Sequence, residues 1–172
     1  MTKISFKSHL FKKEGNVWDV AIYVPKKYAD PFIDKKDKRV LCTINGKLMI
    51  HAGLMPQGNG DSFINTNSEI RKKLKLDAND SVEVMLEKDE SEYGMPLPDE
   101  LKTAWELDEQ AYELFHKLRD GKQRNLIHLV GKLKSSEKRI EKSLVILEYL
   151  KSVNGKLDFK ELNQAFKDAN KK

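Results

Sequence analysis

Cysteine is nearly absent from this 172-residue chain, Cys42 being the only one. A single cysteine excludes an intrachain disulfide framework, and without a Cys-x-x-Cys pair the common thiolate zinc sites are excluded as well. Cys42 lies in the run Val40-Leu41-Cys42-Thr43-Ile44, where a free thiol acts as a small buried hydrophobe. Histidine is scarce too: His9, His51, His116 and His128 include no i,i+4 pair and no His-Glu-x-x-His. No metal and no cofactor is expected. No apolar stretch reaches the ~18 residues of a membrane span, and Met1-Thr2-Lys3-Ile4 lacks the apolar core of a signal peptide. The expected location is therefore the cytoplasm, with no membrane partner.

Arginine is the third shortage. Of 32 basic residues only Arg39, Arg71, Arg119, Arg124 and Arg139 are arginine, the side chain whose planar fork grips phosphate and guanine. Against 27 acidic residues the net charge is +5, shared almost evenly between the two sides of Pro96. A Lys-rich solvated surface accounts for that balance, with a nucleic-acid footprint as the alternative.

What is present divides at Met95-Pro96-Leu97-Pro98. Before that point apolar residues recur mostly with period two. Ile4, Phe6 and Leu10 alternate with polar residues, and Trp18, Val20, Ile22 and Val24 do the same beyond Gly15-Asn16, the pattern of half-buried strands. Asn45-Gly46 separates two further apolar runs and suits a type I′ turn, which needs positive φ at both positions. A two-residue turn there sets Ile44 opposite Lys47, Cys42 opposite Met49 and Val40 opposite His51. Leu41 and Ile50 then fall on the other face. A sheet with apolar residues on both faces fits a small barrel with something packed outside it. Gly58-Asn59-Gly60 re-aims the next strand, Asn67 caps a short basic helix with Ile70 and Leu74 inward, and Val82, Val84 and Leu86 form a last strand.

Beyond Pro98 the period becomes helical. Leu101, Ala104 and Trp105 share one face; Asp108 caps a second helix that runs to Gly121; Leu126, Val130 and Leu133 mark a third. Ser135 or Ser136 caps a fourth with Ile140, Leu144, Leu147 and Leu150 as its stripe, and Asn154-Gly155 ends it before a short fifth. The expected fold is α+β: a small N-terminal β-barrel over residues 1–94, then a helical domain of about five short helices over 95–172.

Few motifs offer chemistry. Residues 154–162 imitate the second half of a calcium-binding loop, but counting back from Gly155 puts Leu150 at the first ligand position, where an oxygen is required. A capping box of Asp158 and Glu161, stapled by Leu157 and Leu162, explains the same residues. Gly58-Asn59-Gly60-Asp61-Ser62 lacks the Gly-Lys-Ser/Thr of a phosphate loop and leads into a strand. No Gly-x-Ser-x-Gly is present, and no carboxylate pair stands out for acid–base work. Two basic clusters remain: Arg71, Lys72 and Lys73, pointing outward on the short helix, and Lys122, Arg124, Lys132, Lys134, Lys138, Arg139 and Lys142 along the third and fourth helices. Neither is interleaved with aromatic residues, as single-strand recognition prefers.

The run from Thr43-Ile44-Asn45-Gly46 through Gly58-Asn59-Gly60, Arg71-Lys72 and Asp80-Ser81-Val82-Glu83-Val84 resembles a bacterial domain of unknown function. That domain commonly precedes a bacteriocin-protection, YdeI/OmpD-associated domain. The second half is similar to the latter in Leu97-Pro98-Asp99-Glu100-Leu101, Phe115, Arg124, Lys134 and Arg139-Ile140. The resemblance implies a double-split β-barrel of the AbrB and MazE class, followed by helices. Asn79 stands where the family carries glycine, and Lys138-Arg139 replaces a Thr-Arg pair. The expected function is that of a non-catalytic binding protein of bacterial stress or bacteriocin tolerance. It would hold a small ligand or protein partner around Asn45, His51, Asn59 and Arg71. A nucleic-acid-binding regulator using Arg71, Lys72, Lys73, Arg124, Lys134 and Arg139 is the alternative, and an enzyme with an unrecognised site comes third.

Overall fold

The computed structural model describes residues 2–15 and 19–171; Asn16, at the expected first turn, and Trp18, at the start of the expected second strand, lie outside them. The chain forms two compact units, Met1–Glu90 and Ser91–Lys172, and its fold is α+β.

The first unit comprises β1 (Lys3–Lys12), β2 (Val20–Val24), α1 (Lys26–Ala29), a 3₁₀ turn (Asp30–Phe32), β3 (Arg39–Ile44), β4 (Leu48–Gly53), β5 (Met55–Pro56), β6 (Ser62–Thr66), α2 (Ser68–Leu74) and β7 (Ser81–Lys88). Every pairing is antiparallel, in the order β4-β3-β7-β1-β2-β6-β5. The sheet curls because β1 serves both halves: residues 3–9 pair with β7, and residues 10–12 pair with β2. Alternation decides which face is inside. Val40, Cys42 and Ile44 on β3, Val82, Val84 and Leu86 on β7, and Leu10, Ile22 and Ile64 are all buried. Each of these aliphatic side chains contributes about 1.5–3 kcal/mol by leaving water. Ser8 takes an inward position on β1, and its hydroxyl is satisfied by the Tyr23 carbonyl.

The hairpin between β3 and β4 departs from the expected register. Asn45 and Gly46 do adopt φ of 52° and 62°, and Lys47 N–H donates to Ile44 O at 3.0 Å. The ladder, however, skips Lys47: Ile44 pairs with Leu48, Cys42 with Ile50 and Leu41 with His51. The reason lies on β7. Asn45 N–H donates to Glu83 O at 2.8 Å while Asn45 Oδ1 accepts from Glu83 N–H at 2.8 Å, which holds Asn45 to its other neighbour and leaves Lys47 as an extra, bulged residue. One residue of slip exchanges the faces of β4. His51 therefore does not face Cys42 and Met49 across the interior; it joins Leu41 on the outer face.

The second unit holds α3 (Asp99–Glu106), α4 (Glu109–His116), α5 (Asp120–Gly131), α6 (Ser136–Ser152) and α7 (Phe159–Ala169). Asp108 Oδ1 caps α4 by accepting from Ala111 N–H, and Ser135 Oγ caps α6 by accepting from Lys138 N–H. Gly121 does not end α4, which stops at His116; it sits in the first turn of α5. The α6 stripe also differs. Ile146, Leu147, Tyr149 and Leu150 are buried, whereas Ile140 and Leu144 stay exposed, because the core-facing side of the helix is rotated about its axis toward Ser143. The expected capping box of α7 is built with a substitute. Asp158 Oδ1 accepts from Lys160 and Glu161 N–H, but Asp158 N–H reaches the Tyr149 hydroxyl at 3.2 Å, and that hydroxyl donates to Glu161 Oε2 at 2.9 Å. A buried tyrosine thus takes the bond that Glu161 was expected to return. His116 is equally structural: its Nδ1 donates to Tyr112 O at 2.8 Å, and its Nε2 lies 2.7 Å from the Tyr93 hydroxyl.

Candidate functional site

The first unit carries an open groove of about 730 Å³ between β4 and the segment running from the end of β6 into α2. Three side chains able to carry positive charge line it: Arg39 from the start of β3, His51 from β4 and Arg71 from α2. Local chemistry explains each placement. Arg39 pairs with Gly53 in the ladder, and its Nη1 lies 3.4 Å from where a Gly53 Cβ would stand; the missing side chain gives the guanidinium room to lie across the strand. His51 is turned outward by the bulge at Lys47, and its Nδ1 meets Asp89 Oδ2 at 2.8 Å. The Asp89 side chain is 1% exposed and accepts only, so Nδ1 donates and Nε2 is the ring atom left for other partners.

Arg71 corrects an expectation. Its guanidinium does not project into solvent with Lys72 and Lys73; Nη1 donates to Thr66 O at 2.8 Å and lies 3.4 Å from Thr66 Oγ1. Asn67 makes this possible by capping α2, with Oδ1 accepting from Ile70 N–H at 2.8 Å, so that the first turn places residue 71 back beside residue 66. The fork is thereby oriented before any ligand arrives, which removes part of the ordering cost of binding. Asp19 is the acidic residue lining the groove, and Lys13 stands 3.6 Å from its carboxylate. Arg39 and Arg71 supply two cations suited to an anionic group, beside the acids Asp19 and Asp89.

Of the residues expected at a site, His51 and Arg71 come together here. Asn45 and Asn59 do not line the groove. Asn45 ties β3 to β7 as described, and Asn59 Oδ1 accepts from Asp61 N–H at 3.0 Å to close the loop between β5 and β6. Asp61 in turn accepts from the Tyr23 hydroxyl and Lys26 N–H; the tyrosine bond, more than the others, holds its carboxyl below the usual range. The basic residues of the second cluster divide as well. Lys134 is exposed and Arg124 half-buried on α5, but Arg139 is committed to structure. It meets Glu100 at 2.8 Å and donates to Leu133 O at 2.9 Å. The Arg139 bond, supported by Ser136, takes the Glu100 carboxyl down to about 2.

Sequence reasoning missed Arg39 and Asp89. Both lie at strand ends, and only the corrected register shows that Arg39 and His51 stand two rungs apart on the same face of the hairpin. It also missed an aromatic strip on the outer face of β1, β2 and β6. His9 stacks on Tyr23 at 5.3 Å, Phe11 meets Tyr23 and Phe63 edge-on at 6.5 and 6.3 Å, and Lys13 Nζ lies 5.0 Å from the Phe63 ring centre. The separation of residues 9, 11, 23 and 63 hides this strip in a linear reading; the pairing of Tyr23 with Phe63 assembles it. Among the described residues no three His, Cys, Asp or Glu side chains converge as metal ligands, and no helix is long and apolar enough to cross a membrane.

These features define a barrel-like antiparallel sheet domain with a preformed basic groove. Residues 6–86, just under half of the chain, match the model of a family described as a domain of unknown function, DUF1905. The expected resemblance of this half to a domain of unknown function therefore holds. No curated protein matches the chain.

Proposed function

We propose that the chain is a non-catalytic binding protein whose N-terminal groove takes a ligand carrying a phosphate or carboxylate group. The convergence of Arg39, His51 and Arg71 on one groove carries this reading. Two of the chain's five arginines meet there, one of them already oriented by Thr66. The polar atoms of His51 and Arg71 are positioned by neighbours in the fold, as befits recognition. A cytoplasmic setting is proposed with it. A role in bacterial stress or bacteriocin tolerance follows from the resemblance of the second half to a YdeI/OmpD-associated domain, and a double-split AbrB- or MazE-like topology from that of the first.

Titration of the ¹⁵N-labelled protein with pyrophosphate tests the groove. The expected result is movement of amide signals over residues 50–53 and 65–71, with affinity weakened roughly tenfold in Arg71→Gln and only partly restored by Arg71→Lys, which returns the charge without the fork. Unmoved signals at both segments would overturn the proposal.

One observation favours nucleic acid as a second reading: the strip of His9, Phe11, Tyr23 and Phe63 beside Lys13 offers ring faces and a cation to unpaired bases. In that case an oligothymidylate binds with micromolar affinity at low salt, losing about tenfold or more in Phe63→Ala. Equal binding by wild type and variant would remove the strip from consideration.

A further inference from the structure

Two of the partly buried cations of the helical unit are paired with a carboxylate. Arg139 has Glu100 at 2.8 Å and Lys151 has Asp108 at 2.6 Å. Lys142 differs. Its Nζ stands 4.4 Å from the centre of the Phe166 ring, and burial, reinforced by the charge of Lys132, moves its pKa below the ordinary lysine value. Among the described residues no carboxylate forms an ion pair with it. An ammonium held partly out of water without a counter-charge is costly, and the cost falls when an anion is brought beside it.

Space for such an anion exists. Lys142 lies in a groove of about 610 Å³ formed by one face of α6 and one face of α7, within the size range of small-molecule sites. On α6 the residues fall at i, i+3, i+4 and i+7, as Lys138, Glu141, Lys142 and Val145; α7 supplies Phe166, Ala169 and Asn170. Charged and apolar side chains both line it. Lys138 and Lys142 outnumber the single acid Glu141, while Leu133, Val145, Phe166 and Ala169 present hydrocarbon. Neither basic residue is an arginine, so the site offers point charges and no bidentate fork.

We propose that this groove binds an amphipathic anion, its charged head against Lys142 and Lys138 and its hydrocarbon body along Leu133, Val145, Phe166 and Ala169. Carboxylate and phosphate heads share this chemistry. The site lies in the other unit from the Arg39–His51–Arg71 groove and is independent of it.

Amide NMR titrations of the full chain with decanoate, decyl phosphate and decyltrimethylammonium test the proposal. The two anions should move signals over residues 133–145 and 166–170, and whichever binds more tightly identifies the head group. Lys142→Met, which keeps the stem over Phe166 and removes the charge, should weaken anion binding at least about tenfold, and Lys142→Arg should retain most of it. Should Lys142→Met fail to fold, Lys138→Met at the exposed rim should still cost about threefold. Equal affinity for the decyl cation, or unchanged anion affinity in the folded Met variants, would overturn the proposal.

Discussion

Replacing Trp105 by alanine should cost the helical unit about 3–5 kcal/mol, the usual range for emptying a large aromatic site. Trp105 is 3% exposed and sits at the centre of a ring cluster, 4.7 Å from Phe115 and 6.1 Å from both Tyr93 and Tyr112. These side chains belong to α3, α4 and the segment before them, so no single helix can close the void. In a domain of this size each kcal/mol lowers the melting temperature by about 4–8 °C. The helical circular-dichroism transition of Trp105→Ala should therefore fall by more than about 12 °C. The hydrophobic core of the barrel is a separate cluster around Leu10, Ile22, Cys42 and Ile64, so its unfolding should stay where it was. A joint fall of both transitions would show that the two units unfold as one.

Cys42 supplies the probe for the barrel, and it carries the second large effect. The side chain is fully buried on β3, and burial pushes the thiol up to about 12. At pH 8 the thiolate is then ~10³-fold rarer than in an unfolded chain, where cysteine titrates near 8.5. Reaction of the native protein with a disulfide reagent should be slower than that of the urea-unfolded chain by at least this factor. Its rate should rise with urea in step with unfolding of the sheet. The sign of the linked pH effect follows. Between pH 8.5 and 12 the unfolded chain gives up a proton that the folded chain keeps, so barrel stability falls as pH rises through that window. Cys42→Ala should flatten the slope. Rapid labelling of the native protein would place Cys42 outside the core.

Strand and helix positions were legible because burial is periodic. The inward residues of β3 and β7 are those that alternate in the sequence, and the caps Asn67, Asp108, Ser135 and Asp158 act where their side chains suit them. Register was not legible. Asn45-Gly46 specifies a turn, but the residue that bulges depends on Glu83, 38 positions away. That displacement moves His51 to the outer face and makes a groove of residues that no spacing rule connects. The same limit hid the role of Tyr149 beneath α7 and the exposure of Ile140 and Leu144, since a helix reveals its period without saying which neighbours exist. Half of the barrel site could be named from residue type, as His51 and Arg71 were. Arg39 and Asp89 required the pairing.

The strand at the other margin of the sheet has a consequence for life at high concentration. β5 is only two residues long, and one of them is Pro56, which has no N–H to offer an incoming strand. The chain beyond it turns at once through Gly58 and Gly60, with φ of 92° and 94°. A second molecule approaching β5 finds only two residues to extend, one of them without an N–H. β5 is therefore a poor template for cross-β growth among crowded copies of this protein.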